Sequence, residues 1–244
     1  MIPASLRRTP SSMRRIMREL EKELARLFEE ARTELESLVD SRALAEPEEL
    51  DPQAGERIGR VIEYRILRPG RSLVEEAQSK AYRAGVARSA QLLKRIGIDA
   101  ALGTIPTDRL VLAALEQRSL SALKGITDEM SKTIMQELTD GAIRGEHPND
   151  VARRISAAVD EVGIVRARTM ARTETMYAIG QAEEQRYRQH GIAQVEWLAT
   201  PDPGRRTCDA CAALDGKRYP LDDHPPRPLH PNCRCDLLPV VEDP

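Results

Sequence analysis

Apolar residues recur at steps of three and four along most of this chain and alternate with polar ones only near its C-terminal end. The clearest stripe is Ile16, Leu20, Leu24, Leu27, Ala31, Leu35 and Leu38, which predicts one long helix over residues 11–45, opened by Ser11 or Ser12. Its other faces carry Glu19, Glu21, Lys22, Glu23, Arg26, Glu29 and Glu30. A spacing close to 3.6 favours packing within a bundle over a long coiled coil. Residues 51–97 predict two helices split at Pro69-Gly70, with Ser72 and Glu75 as a capping box for the second. The stretch from Gly97 to Pro106 predicts a linker or change of direction. Pro106 then opens a short helix through Leu110, Leu112 and Leu115. Another helix is expected over Ser119 to Arg144, with Leu120, Leu123, Ile126, Met130, Ile134 and Leu138 at helical steps. The break at Gly145-Glu146-His147-Pro148 leaves His147 in a loop, and Asn149 or Asp150 restarts a helix through Val151, Ile155 and Val159. A last helix over Val165 to His190 ends at Gly191.

Beyond Gly191 the period changes to two. Val195, Trp197 and Ala199 alternate with Glu196 and Leu198 in a strand over 194–200, and residues 216–221 and 235–241 are two further extended candidates. The fold class that follows is mostly α. An elongated helical N-terminal part, 1–105, precedes a C-terminal domain, 106–244, with a small α+β region built on a short antiparallel sheet.

Composition agrees with this architecture. The 244 residues are 31% charged and 3% aromatic, with one Trp and one Phe, which suits long solvated helices better than a thick sandwich core. The formal net charge of -2 neither demands nor excludes nucleic acid. No apolar run approaches the roughly 18 residues that span a bilayer. Arginines near the start, with no apolar core after them, predict no signal peptide, and a soluble intracellular location is expected. Residues 51–97 hold ten Lys or Arg against five Asp or Glu. Arg57, Arg60, Arg65, Arg68, Arg71, Lys80, Arg83 and Arg88 are therefore candidate contacts to double-stranded DNA or an acidic protein partner, against the commoner reading of a solvated face.

The strongest chemical signal lies between Cys208 and Cys235, which holds all four cysteines and two of the four histidines. Cys208-Asp209-Ala210-Cys211 and His230-Pro231-Asn232-Cys233-Arg234-Cys235 are two soft-ligand clusters separated by a loop of eighteen residues. A C-x-x-C turn aims two thiolates at one point, and paired clusters of this kind indicate a structural zinc site. Cys208, Cys211, His230, Cys233 and Cys235 are the candidate ligands. Tetrahedral zinc takes four of them, and the spacing leaves open which is spare. Free thiols rank second and disulfides third, because an intracellular chain keeps cysteines reduced. Five soft candidates predict a closed site that holds the fold instead of catalysing a reaction. The pair Arg172 and Glu174 is the enzymatic alternative, but no nucleophile and base or phosphate loop accompanies it.

The blocks Ala171-Arg172-Thr173-Glu174-Thr175, Glu196-Trp197-Leu198-Ala199-Thr200, Arg206-Thr207-Cys208-Asp209-Ala210-Cys211, Leu214-Asp215-Gly216-Lys217 and Pro228 to Cys235, in this order over residues 120–240, resemble the phage Mu F-like head-morphogenesis family. The resemblance implies a minor capsid protein of a tailed phage or prophage. Such a protein resides in the virion, inside the head near the portal, and in the host cytoplasm during assembly. It acts with the portal protein and other head proteins in head assembly and DNA packaging or delivery, without enzymatic activity. On that reading Arg168, Arg172 and Glu174 brace the last helix against the metal knob, and Asp202, Arg206 and Arg234 orient the ligand turns. The rival classes are an enzyme or toxin on the same domain and a DNA-binding protein using residues 51–97.

Overall fold

The computed structural model describes residues 10–40, 54–100, 106–200 and 207–241. Its helices are α1 (Ser11–Asp40), α2 (Ala54–Ile62), α3 (Arg68–Arg95), α4 (Pro106–Arg144), α5 (Pro148–Ala158), α6 (Val165–Gln189) and the short α7 (Asp209–Ala212). Three strands, β1 (Gln194–Leu198), β2 (Arg218–Pro220) and β3 (Asp236–Val240), make one antiparallel sheet in the order β2-β1-β3. The expected class, mostly helical with a small sheet beside a Cys/His cluster, is what the chain adopts.

The chain divides into two compact units. The first comprises residues 1–18, 76–116 and 171–244, and the second 19–75 and 117–170. The tail of the 11–45 helix, beyond Asp40, lies outside the described residues.

In the second unit the stripe of α1 is buried as its period requires. Leu20, Leu24, Leu27, Ala31 and Leu35 are all at most 4% exposed, together with Phe28. Leu123, Ile126, Met130, Ile134 and Leu138 supply the matching face of α4. Two expectations are corrected here. Pro69-Gly70 does not split two helices, because α2 passes into α3 through a wide π-type turn at Glu63–Leu67. Proline inside a helix clashes with the carbonyl four residues back and removes one hydrogen bond; the widened turn lies where that strain falls. Gly70 serves packing, not chain reversal, since a Cβ there would stand 2.8 Å from Leu123 and 3.8 Å from Leu27. Ser72 and Glu75 are consequently interior helical residues, and no cap is needed. Likewise, the short helix at Pro106 and the one expected from Ser119 are a single 39-residue helix, because residues 116–118 contain no breaker.

His147 lies in the break, as expected, and there serves as the N-cap of α5, its Nδ1 accepting from Asn149 N at 3.2 Å; the helix restarts at Pro148 instead of Asn149 or Asp150. A second wide turn, Val159–Ile164, joins α5 to α6. Gly163 in that turn faces Phe28 and Met130, and a Cβ would approach Phe28 Cδ1 to 2.5 Å. Gly163→Ala is therefore expected to lower stability by about 1–3 kcal/mol through overpacking, outweighing the roughly 1 kcal/mol by which Ala is the better helix former. Urea titration checks the sign.

In the first unit α6 ends at Gly191, whose φ of 70° only glycine adopts cheaply. Ile192 N donates to Tyr187 O and Gly191 N to Arg188 O, closing the helix and turning the chain into β1. Val195, Trp197 and Ala199 point into the core as the alternation requires. Leu198, which the same alternation places outward, is also fully buried and belongs to the same core cluster. The strand's cluster includes Leu92 and Leu93 of α3, Tyr187 of α6, Leu237 of β3 and three of the cysteines.

Candidate metal centre

Both soft-ligand turns are placed by the sheet. The register pairs Leu198, the last residue of β1, with Asp236, the first of β3, so the chain leaving β1 and the chain entering β3 lie side by side. The first carries Cys208 and Cys211, and the second carries His230, Cys233 and Cys235. Cys208 caps α7, its Sγ accepting from Cys211 N at 3.4 Å. This single helical turn lets both sulfurs face one point. The second cluster is a β-turn, with Cys233 N donating to His230 O at 3.0 Å. Pro231 presets the first central position, and Asn232, at a φ of 64°, takes the left-handed second one that Asn tolerates. The turn is held from α6 by Thr173, whose Oγ1 accepts from Asn232 N at 3.1 Å.

All five predicted ligands come together. Cys208, Cys211 and His230 form one group, and Cys211, Cys233 and Cys235 a second, each with its donor atoms within 4.8 Å of one another. His230 Nε2 is 3.2 Å from both Cys208 Sγ and Cys211 Sγ, and Cys211 Sγ is 3.8 Å from Cys233 Sγ. No disulfide links them; all four cysteines are free. His230 Nδ1 lies 2.8 Å from Pro231 O, a contact that puts the ring proton on Nδ1 and leaves the Nε2 lone pair facing the sulfurs. The cavity beside these atoms, about 280 Å³, is lined by both turns and by Thr200, Thr207 and Arg234.

Electrostatics separate the four thiols. Cys208 is held below its usual range, chiefly by the Cys211 amide. Cys233 is brought to about 5 by a hydrogen bond from Cys235, with the backbone amides of Cys235 and Leu229 assisting against burial. Burial pushes Cys211 up to about 12. Cys235 is raised by its bond to Cys233 and by burial. Such a set can take up a cation that replaces the protons on its sulfurs.

Of the residues expected to support the site, Glu174 is buried, Arg172 and Arg234 are half-buried, and Arg168 is exposed and belongs to the other unit. Asp202 and Arg206 lie outside the described residues. Neither Arg172 nor Glu174 lines the cavity at the sulfurs. The residue between them, Thr173, touches the ligand turn through Asn232; its place in the Arg-Thr-Glu block was its only signal in the sequence.

The basic candidates divide. Arg60, Arg65, Arg68 and Lys80 are exposed and paired with Glu56, Glu34, Glu63 and Glu76. Arg71 and Arg83 are exposed and Arg57 half-buried. Arg88 is 8% exposed, which removes it from the surface set. It joins a buried ionic cluster that sequence reasoning missed. Arg88 pairs with Asp236 and, at 3.3 Å, with Glu183, while Arg227 pairs with the same two carboxylates. Burial opposes the charge of Arg227, but Glu183 and Glu184 outweigh it and keep its pKa above the usual value. Gly180 makes the room, since a Cβ there would meet the Arg227 guanidinium at 2.7 Å.

Comparison with protein families matches residues 132–238 to the family described as Phage Mu protein F like protein. Comparison with curated proteins and with solved structures returns no match. Among the described residues no helix is long and apolar enough to cross a membrane.

Proposed function

With residues 132–238 a Phage Mu protein F like domain, we propose that the chain is a minor head protein of a tailed phage or prophage. In this reading it works by docking to the portal protein and other head proteins during head assembly and DNA packaging or delivery. The observation that supports it most is the coincidence of the family match with the Cys/His cluster inside the matched segment. The cluster is a structural zinc clamp: three thiolates with an imidazole suit tetrahedral zinc better than harder or octahedral cations. Zinc there would supply folding free energy by tying the chain after β1 to the chain before β3. The fifth soft atom favours a saturated ion over one with an open position for a substrate, which argues for a non-enzymatic role.

Residues on the exposed faces of α2 and α3 are candidates for the partner surface. Local pairing neutralises much of their charge, since Arg60, Arg65, Arg68 and Lys80 each meet a glutamate. That makes a protein partner better supported than DNA. The test is composition and co-assembly. Particles from an induced lysogen should contain this chain in a few copies, and it should co-purify with the co-expressed portal protein. Absence from DNA-filled heads, together with no portal association at low salt, would remove the reading.

A further inference from the structure

The C-terminal half of α1, α2 and the wide turn that follows α2 enclose an open cavity of about 360 Å³ within the second unit. Arg57, Arg60, Val61, Tyr64 and Arg65 line it at steps of three and four, the spacing of one helix face, and Glu34 and Leu38 line it from α1, four residues apart. Three arginines therefore meet one carboxylate beside an apolar wall of Leu38 and Val61. The ion pairs of these arginines are loose ones. Arg60 meets Glu56 at 3.4 Å with side chains 65% and 73% exposed, and Arg65 meets Glu34 at 2.7 Å with side chains 55% and 42% exposed. Exposed pairs of this kind contribute little, so carboxylates of a partner can take over both arginines at small cost. Tyr64 is 58% exposed, and Arg68 lies over its ring at 4.4 Å, which holds the ring beside the cations. Tyrosine and arginine around a partly apolar pocket are the composition of binding hot spots.

Resting on the reading that this chain docks to other head proteins, we infer that the cavity takes a short acidic peptide segment of such a protein. One bulky apolar side chain packs on Leu38, Val61 and Tyr64, and flanking Asp or Glu carboxylates pair with Arg60 and Arg65. Charge selects the occupant, since three cations against one carboxylate favour an anionic partner. Size selects a short motif: the volume lies at the lower end of the about 300–1,000 Å³ of ligand pockets. The apolar wall selects peptide over nucleic acid, because phosphate binding rests on rows of cations and gains nothing from Leu38 and Val61.

Fluorescence anisotropy of the full chain with a labelled Glu-Glu-Phe-Glu-Glu peptide tests this, beside the Gln-Gln-Phe-Gln-Gln peptide and a labelled single-stranded DNA of the same charge. The acidic peptide should bind saturably and more weakly as salt rises, and the glutamine peptide should bind about tenfold more weakly or worse. Arg60→Gln combined with Arg65→Gln, and separately Tyr64→Ala, should each weaken the acidic peptide by about tenfold or more. Arg26→Gln combined with Arg153→Gln removes the same charge at side chains 52% and 78% exposed elsewhere in the unit, and should leave binding unchanged. All these side chains are exposed, so the variants should melt as wild type does. No saturable binding, equal loss in the two double variants, or tighter binding of the DNA than of the acidic peptide would overturn the inference. Any of these in a chain that is present in heads overturns the docking site alone, whereas absence from heads with no portal association removes the reading beneath it.

Discussion

Stripping the metal with a strong chelator, or replacing Cys208 and Cys211 together by alanine, is expected to unfold the sheet region while leaving most of the helical signal. The reason is the distribution of stabilising contacts. The turn carrying Cys208 and Cys211 is a four-residue helix that could not hold itself, and residues 221–235 contain no regular element. Without a shared ion the Cys208 turn loses its tie to the chain before β3, which is left with strand pairing, the Arg227 ion pairs and the Thr173–Asn232 bond, whereas the second unit keeps its buried α1 and α4 faces. Structural zinc contributes an apparent ~10–16 kcal/mol in small zinc-dependent folds. If a third of that, about 4 kcal/mol, is lost here, the melting temperature falls by roughly 8–16 °C for a chain of this size. Trp197 is the chain's one tryptophan, fully buried in the cluster that includes Cys211, Cys233 and Cys235. Its fluorescence should therefore shift to the red at a lower temperature than the far-UV circular dichroism melts, and two non-coincident transitions should replace one. Coincident transitions, unmoved by chelator, would refute a metal clamp.

The metal centre was legible in the sequence because coordination chemistry is compressed into short spacings: two residues between Cys208 and Cys211, two between His230 and Cys233. The α1 stripe and the β1 alternation were legible for the same reason, each being a local period. What escaped is set by partners distant in the chain. Pro69-Gly70 carries a strong local signal for a break, but the leucine that crowds the bare backbone at Gly70 sits at position 123. Arg88 reads as one more cation in a basic run, and only Glu183 and Asp236, about 95 and 148 residues onward, turn it inward. Arg227, between prolines, carries no motif at all. Thr173 was overlooked because its two charged neighbours drew attention from a hydroxyl that holds the ligand turn.

The buried ionic cluster sets the second large effect: Arg227→Met is expected to cost about 3–5 kcal/mol, more than any exposed charge in the chain. Arg227 has 1% of its side chain exposed and Glu183 none, so removing the cation leaves carboxylates that water cannot reach. Replacing one member of an exposed pair such as Lys124–Asp128, with both side chains above 60% exposed, should change stability by no more than about 1 kcal/mol. The comparison is informative because the chemistry is alike and only burial differs. A double-mutant cycle between Arg227→Met and Glu183→Gln should return a coupling of about 0.5–3 kcal/mol. The cluster also bears on what can fold alone. Arg88, Leu92 and Leu93 lie outside the family-matched residues 132–238 yet contribute to the charge cluster and to the Trp197 core. A fragment limited to 132–238 loses one of the two cations that face Asp236 and Glu183, and with it two buried leucines. It should be unfolded or aggregated even with zinc present, whereas the full chain carrying Arg88→Met should fold with reduced stability. A cooperatively folded, zinc-loaded 132–238 fragment would show that Arg227 alone balances these carboxylates and that α3 is dispensable to the domain.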